Sequence, residues 1–303
     1  MPRPERTGEL AGGVLIGLAS VQFGIVVILG KLAQRSGISV FAMLGVRFGI
    51  AAALLAVLVA ALRQSLVAAR RERMWLVGLG FLGYAVESSL FFAALRHGEA
   101  AAVTLLFFTY PVFVAATSAL IGRGLPRPLI AIALACALGC AALVVAFSGR
   151  LAIAPAGVLF ALGSALSFTI YLLVLDHTVH RTDPLVTSMW VAGTASVALF
   201  VYAAASGGSW STSGGKTWAE LAGMGAATAG AFVCLFVGLK RLGPVRTSIV
   251  AAAEPLATTI LAYVILHERV RWAMGVGGLL ILVGAVMATL ARGAAPAAEP
   301  PVP

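Results

Sequence analysis

From residue 10 to residue 291 the chain alternates apolar runs of about 20 residues with short polar connections rich in Arg and Lys. A run of that length is what an α-helix needs to cross a hydrocarbon core of about 30 Å. Ten such runs occur, at 10–32, 38–62, 74–96, 99–121, 128–147, 155–177, 184–205, 218–240, 244–266 and 270–291. Runs such as 130–147 are apolar on every face. That excludes a barrel, whose strands would alternate over about ten residues. The pattern predicts an all-α integral membrane protein with ten transmembrane helices, and its brief connections make sequential helices antiparallel neighbours. The two longer connections are basic (63–73) and rich in Gly and Ser (206–217).

The pattern also repeats. A shift of 144 residues lays Gly13-Val14-Leu15 on Gly157-Val158-Leu159, Ser20 on Ser164, Leu95-Arg96 on Leu239-Lys240 and Pro111 on Pro255. Five crossings in each half is an odd number, so the second half enters the membrane from the side opposite the first. This predicts two inverted five-helix repeats, with a site near the midplane between them. The expected organisation is an N-terminal cytoplasmic segment (1–9), a first repeat (10–147), a second repeat (155–291) and a disordered cytoplasmic tail (292–303) rich in Ala and Pro.

Composition sharpens the class. Of 303 residues 61% are hydrophobic and 11% charged, with mean hydropathy +1.03, more apolar than a soluble core requires. The net charge of +10 lies between the apolar runs and forms no basic stripe, so no nucleic-acid partner is expected. With the N-terminus inside, twelve Lys and Arg residues fall in inner connections and seven in outer ones, which places both termini in the cytoplasm. The first run has Arg3 and Arg6 before it, is longer than a signal peptide's apolar region and lacks a small-residue cleavage site, so it is expected to stay as a helix. Cys136, Cys140 and Cys234 sit in apolar runs without a neighbouring His or carboxylate. They read as small buried residues, with no metal set and no disulfide framework. There is no Asn to glycosylate and no GxxxxGK[ST] phosphate loop, so neither ATP nor another cofactor is expected.

The second half carries LGPVRTSIVAAAEPL from Leu242, ILHERV from Ile265 and GVGGLLILVGAVM from Gly275. The Gly-Pro start, the proline within the run, the closing Glu268 and the Gly-rich last run resemble the EamA-type repeat of the drug/metabolite transporter superfamily. The first half keeps Arg47-Phe48, His97-Gly98 and Pro111, but Gly124 stands opposite Glu268. The resemblance spans roughly residues 10 to 290 and looks most like bacterial YddG-type amino-acid exporters. It implies a central cavity lined mainly by spans 1, 3, 4, 6, 8 and 9, and alternating access across the bacterial inner membrane.

Glu87 and Glu254 are the carboxylates placed near the middle of a crossing. At that depth a carboxylate suits recognition of a substrate amine or exchange of a proton; a paired structural group is the competing explanation. Pro111 and Pro255 each remove an amide and free the carbonyls of Phe107 and Ala251, which predicts a kink in each helix and a gating or hinge role. On the third span Tyr84, Glu87, Ser88 and Phe91 share a face by i, i+3, i+4, i+7 spacing. The fourth presents Thr104, Phe108 and Pro111, with Tyr110 opposite Glu254 in the repeat. Ser20 and Phe23 on the first span, with Ser164, Ser167 and Tyr171 on the sixth, make comparable faces. Aromatic and hydroxyl surfaces of this kind suit a cavity for apolar or aromatic solutes, while plain helix packing also uses Ser and Thr.

Arg47, about three turns into the second span, reads as an anchor that snorkels outward or pairs with a carboxylate. Gly45/Gly49 and Gly13/Gly17 have the spacing of close helix contacts, with at most weak homodimerisation. His267, Glu268 and Arg269 suit an interfacial salt bridge or gate contact, and lack the second His of a metalloprotease motif. These readings predict a secondary transporter that exports amino acids, aromatic or otherwise apolar, and related small metabolites through the lipid bilayer. Efflux of cationic compounds, with Glu87 or Glu254 as counter-charge, is the alternative within transport. A membrane-embedded enzyme is the alternative from another class, but the chain has no GxSxG, no HExxH and no Asp pair at mid-depth.

Overall fold

The computed structural model describes residues 4–120, 153–207, 214–251, 253–269 and 274–280, together with residues 132, 135, 136, 139, 272 and 283. The predicted spans 128–147 and 270–291 therefore lie wholly or largely outside the described residues. Among those described, the structure is helical throughout, apart from one isolated bridge between Gly98 and Ile153. The helices are α1 (Pro4–Gln34), α2 (Val40–Ala61), α3 (Arg73–Gly78), α4 (Ala85–Arg96), α5 (Ala100–Phe107), α6 (Tyr110–Leu120), α7 (Pro155–Thr178), α8 (Pro184–Ala205), α9 (Gly215–Ala251) and α10 (Glu254–Leu261). Among the described residues, six helical stretches are long and apolar enough to cross a membrane, and Ala100–Val114 and Glu254–Leu266 are shorter apolar pieces.

Local chemistry sets the helix ends. The Ser39 hydroxyl accepts from the Ala42 amide at the start of α2, and the Asp183 carboxylate accepts from the Leu185 amide at the start of α8. Both satisfy amides that a first helical turn leaves free. α7 and α8 each begin with a proline, where no amide is needed.

Two interruptions matter for the site. A π-helical turn, Leu79–Tyr84, joins α3 to α4. The predicted fourth span is split between α5 and α6 at Phe108 and Thr109, just before Pro111. The break between α9 and α10, with Ala253 in a turn, precedes Pro255 in the same way. In contrast, the turn expected between the eighth and ninth spans at 241–243 does not interrupt the helix, since α9 continues through Gly243-Pro244. Proline's φ is compatible with helix, and Gly243 has no Cβ to clash with the ring that follows.

Packing pairs the first half with the second: α1 on α9, α2 on α8, α4 on α7 and α5 on α10. Missing Cβ atoms permit the close approaches. Gly45 faces the ring of Phe200 and Gly49 the hydroxyl of Ser196, whose Oγ donates to the Gly45 carbonyl at 2.7 Å. That GxxxG pair is used inside the molecule, between α2 and α8. Among the described residues, nothing lies within 4 Å of where a Cβ at Gly13 or Gly17 would stand. Gly30 accommodates Phe92 and Met224, and Gly80 accommodates Thr194 and the Val191 carbonyl. Cys136 and Cys234 are half-buried free thiols, more exposed than expected; Cys140 lies outside the described residues.

Each end of the bundle is pinned. At one end Lys31 Nζ lies 2.7 Å from Glu268 Oε1 and donates to the Gly98 carbonyl at 2.6 Å. The same carboxylate accepts from the Ala100 amide at 2.9 and 3.1 Å. It caps α5, whose own N-cap residue Glu99 makes no side-chain cap bond. His267 reaches φ 57°, the left-handed region. It closes the π-helical turn Ala262–Leu266, so that the Glu268 amide bonds back to the Ala262 carbonyl.

At the other end Glu72 is buried and accepts from the amides of His180, Arg181 and Thr182 and from the Thr182 hydroxyl, at 2.6–2.9 Å. Burial acts to raise its pKa, but these four bonds outweigh it and hold the carboxyl at about 2, against an ordinary 4.5. Because the folded pKa is depressed, this contribution is complete above the unfolded carboxyl pKa and is lost as pH falls towards 2. Hydrogen exchange at those three amides, corrected for intrinsic rates, should therefore lose protection between about pH 4.3 and 2. Glu72→Gln, with a single acceptor oxygen, should show weak protection even at pH 7.

Candidate functional site

Between the two pinned ends the bundle encloses a cavity of ≈ 360 Å³, within the size range of roughly 300–1,000 Å³ typical of small-molecule sites. It takes Phe23, Val26 and Val27 from α1, Arg47 from α2, Glu87, Ser88, Phe91 and Phe92 from α4, Phe107 from α5, Phe168, Tyr171, Leu172 and Leu175 from α7 and Glu254 from α10, among others. On α7 the lining lies in the half that ends near the Glu72 pin, and Ser188 joins it from the first turns of α8. The cavity therefore spans the middle of the bundle, with Val27 one turn from Lys31 at one end and Leu175 and Ser188 approaching the Glu72 pin at the other.

Aromatic side chains form much of its wall. Phe168 sits at the centre, 4.9 Å from Tyr110 edge to face, 5.4 Å from Phe107 and 5.7 Å from Tyr171 in a stack, all centroid distances. Tyr84 continues the wall at 5.3 Å from Tyr171 and 6.2 Å from Phe232, which meets Phe23 at 6.1 Å. Such contacts fix ring orientation beyond simple burial. The break at Phe108 and Thr109 brings Phe107, Phe108 and Tyr110 together, with centroids 5.3–5.9 Å apart. A continuous helix would carry neighbouring residues to different faces.

Three charged side chains face this wall. Glu87 is buried; the Ser88 hydroxyl donates to its Oε2 at 2.8 Å, and Ser164 Oγ lies 3.1 Å from both its Oε1 and its carbonyl oxygen. Glu254 is half-buried and opens α10 immediately after the break. Arg47 is buried, and its Nε donates to Thr228 Oγ1 at 2.9 Å while that hydroxyl donates to the Met224 carbonyl. Its guanidinium lies 4.5 Å from the centroid of Phe48 and 5.6 Å from that of Phe92. Both carboxylates interact with it electrostatically, yet among the described residues the sole ion pair is Lys31 with Glu268.

Of the residues expected from sequence, Phe23, Tyr84, Glu87, Ser88, Phe91, Phe108, Tyr110, Tyr171 and Glu254 line the cavity. Ser164 stands behind Glu87, oriented by packing of α4 on α7. Ser20, Thr104 and Ser167 do not line it: Ser20 and Thr104 are buried in helix contacts and Ser167 is half-buried. Pro111 and Pro255 lie beside the helix breaks, and Pro255 is not among the lining residues. Arg47 is the main correction. It neither snorkels outward nor forms an ion pair, because Thr228 and the two phenylalanine rings hold it inside. Phe92, Phe107, Phe168 and Phe232 were absent from the sequence expectation, since a span apolar on all sides does not reveal which ring faces inward.

A small-molecule cavity inside a bundle of membrane-length helices, pinned at both ends by contacts between the two halves, fits a multi-pass membrane transporter. A profile of the EamA-like transporter family matches residues 10–146 and again residues 155–290, and the chain belongs to that family. It is 29% identical over 216 residues to an uncharacterized transporter of Archaeoglobus fulgidus, covering 70% of this chain and 75% of that protein. A solved crystal structure superposes with a TM-score of 0.67, covering 92% of this chain and 96% of the other at 22% identity; at that identity it speaks for the fold.

Proposed function

We propose that the protein is a secondary transporter exporting aromatic or other apolar amino acids and related small metabolites by alternating access, in the manner of YddG-type exporters. The observation that carries this reading is the aromatic cavity with Glu87 and Glu254 on its wall. Aromatic rings accommodate an apolar side chain, and a carboxylate in a low-dielectric site attracts an ammonium group. Efflux of purely cationic compounds fits less well, because the guanidinium of Arg47 occupies the same cavity.

Two matches to one family unit, and the most extensive helix pairs, which join one half to the other, support two inverted repeats within a ten-helix bundle. The domain division at 10–147 and 155–291 follows from the same repeat. The breaks before Pro111 and Pro255 are the hinges of this scheme. With the basic connections inside, the Glu72 end faces the bacterial cytoplasm and both termini lie there.

Uptake of labelled amino acids into proteoliposomes, with and without a pH gradient, tests the reading. Phenylalanine or a related amino acid should accumulate. Glu87→Gln and Glu254→Gln should each slow it about tenfold or more, since charge-assisted hydrogen bonds contribute roughly 1.5–3 kcal/mol. Wild-type rates and pH dependence in both variants would remove the carboxylates from the mechanism.

A further inference from the structure

We infer that Arg47 is the group that recognises the carboxylate of a zwitterionic substrate, so that the cavity selects solutes bearing an anionic and a cationic group together. This rests on the amino-acid reading above and assigns the polar end that reading leaves open.

A guanidinium presents five N–H donors, and a buried one needs acceptors for them. Nε is committed to Thr228, whereas no hydrogen bond within the described structure engages the two terminal nitrogens, which belong to a residue lining the cavity. Neither Glu87 nor Glu254 is within ion-pair distance. Glu87 already accepts from Ser88 and has Ser164 beside it. The structure therefore holds one cation and two carboxylates around a common space, none of them paired to another.

The mounting of Arg47 also suits recognition. Thr228 donates its own proton to the Met224 carbonyl, which leaves a lone pair for Nε and fixes the plane of the fork. The Phe48 and Phe92 ring centroids lie 4.5 and 5.6 Å from the guanidinium carbon, and this packing restricts how it can turn. A planar fork held in this way matches a carboxylate through two parallel hydrogen bonds. A ligand with its carboxylate on Arg47 and its ammonium towards Glu87 or Glu254 would place its side chain among Tyr84, Phe168 and Tyr171. An amine without a carboxylate would leave the guanidinium buried and unpaired, so the site discriminates against it.

The test is exchange of labelled L-phenylalanine in proteoliposomes, with unlabelled phenylalanine, phenethylamine (no carboxylate) and hydrocinnamate (no amine) as competitors, for wild type, Arg47→Gln and Arg47→Lys. In wild type, phenylalanine should compete at least tenfold better than phenethylamine. Arg47→Gln should raise the half-saturating phenylalanine concentration tenfold or more while changing inhibition by phenethylamine less than threefold. Arg47→Lys, which keeps the charge without the fork, should fall between. Equal weakening for phenylalanine and phenethylamine, or no weakening, overturns the assignment. If Arg47→Gln does not fold, the ratio of phenylalanine to phenethylamine affinity in Arg47→Lys decides, and an unchanged ratio overturns it. If wild type exchanges no amino acid, the amino-acid reading fails on its own. Thermal-shift binding of hydrocinnamate to wild type and Arg47→Lys then judges the carboxylate assignment, and equal binding overturns it.

Discussion

Replacing Glu268 with Ala should unlock the Lys31 end of the bundle and shift the protein towards a state open at that end. Glu268 ties together three parts of the chain: Lys31 at the end of α1, the first amide of α5, and the left-handed turn that follows Ala262–Leu266. Without it Lys31 keeps the Gly98 carbonyl, and the Ala100 amide loses its acceptor. Removing one partner of a fully buried ion pair costs about 3–5 kcal/mol. Here the two side chains are 17% and 11% exposed, so about 1–3 kcal/mol is a fair discount for solvent. At roughly 1.4 kcal/mol per factor of ten, that changes the closed-to-open ratio by about 5- to 150-fold. A cysteine placed at Val27, in a background without native cysteines, should react correspondingly faster with an impermeant thiol reagent supplied from the Lys31 side. The double variant Lys31→Ala/Glu268→Ala should add little to the single one, because the interaction is shared. Unchanged labelling would reduce the contact to an ordinary surface pair.

Gly80→Ala should be among the most destabilising single-methyl changes in the molecule. A Cβ there would overlap Thr194 Oγ1, stand 2.7 Å from the Val191 carbonyl oxygen and 3.1 Å from the Ala195 amide. A flexible side chain could turn aside, but α8 backbone cannot, so α8 and the π-helical turn must move apart. Overpacking of this kind costs about 1–3 kcal/mol. The purified protein should lose several degrees of thermal stability by fluorescence-detected gel filtration. Thr194→Ala in the same chain should restore part of the loss, since it relieves the hydroxyl contact and leaves the carbonyl contact in place. No loss of stability in Gly80→Ala would show that this approach tolerates a side chain. The displacement also reaches the cavity, because the π-helical turn ends at Tyr84, three residues before Glu87.

The helical, membrane-spanning class is written plainly in the sequence, because hydrocarbon admits few ways of satisfying a backbone. The placement of Tyr84, Glu87, Ser88 and Phe91 on one face was legible for a local reason: all lie from the end of the π-helical turn onwards, where regular helix geometry relates them. Arg47 was not legible. Its position in an apolar run marks it as costly, but whether such a charge escapes outward or is held inside depends on Thr228, 181 residues away. Phe107 and Phe168 escaped for a different reason, because periodicity carries no phase when every face of a span is apolar. Ser164 was found as part of a cavity face, while its role as a partner of Glu87 required knowing that α7 packs on α4. The prolines located the helix interruptions to within a few residues, and Gly243-Pro244 shows the limit of that signal, since α9 runs through it.

The space left by Gly30 has one further consequence. It is filled by the ring of Phe92, which also lies against Arg47, and Gly30 adjoins Lys31 of the pinned end. Gln34, one turn further along α1, donates to the Phe92 carbonyl at 2.7 Å. A solute that displaces the Phe92 ring as it engages the guanidinium would therefore work against the same seating of α1 that the pin maintains. Linkage makes such an exchange reciprocal: whatever factor of affinity the pin subtracts is the factor by which occupancy loosens it. On this account the solutes that move fastest are those that spend much of their binding free energy on release of α1, and a very tight ligand that leaves Phe92 undisturbed would be an inhibitor.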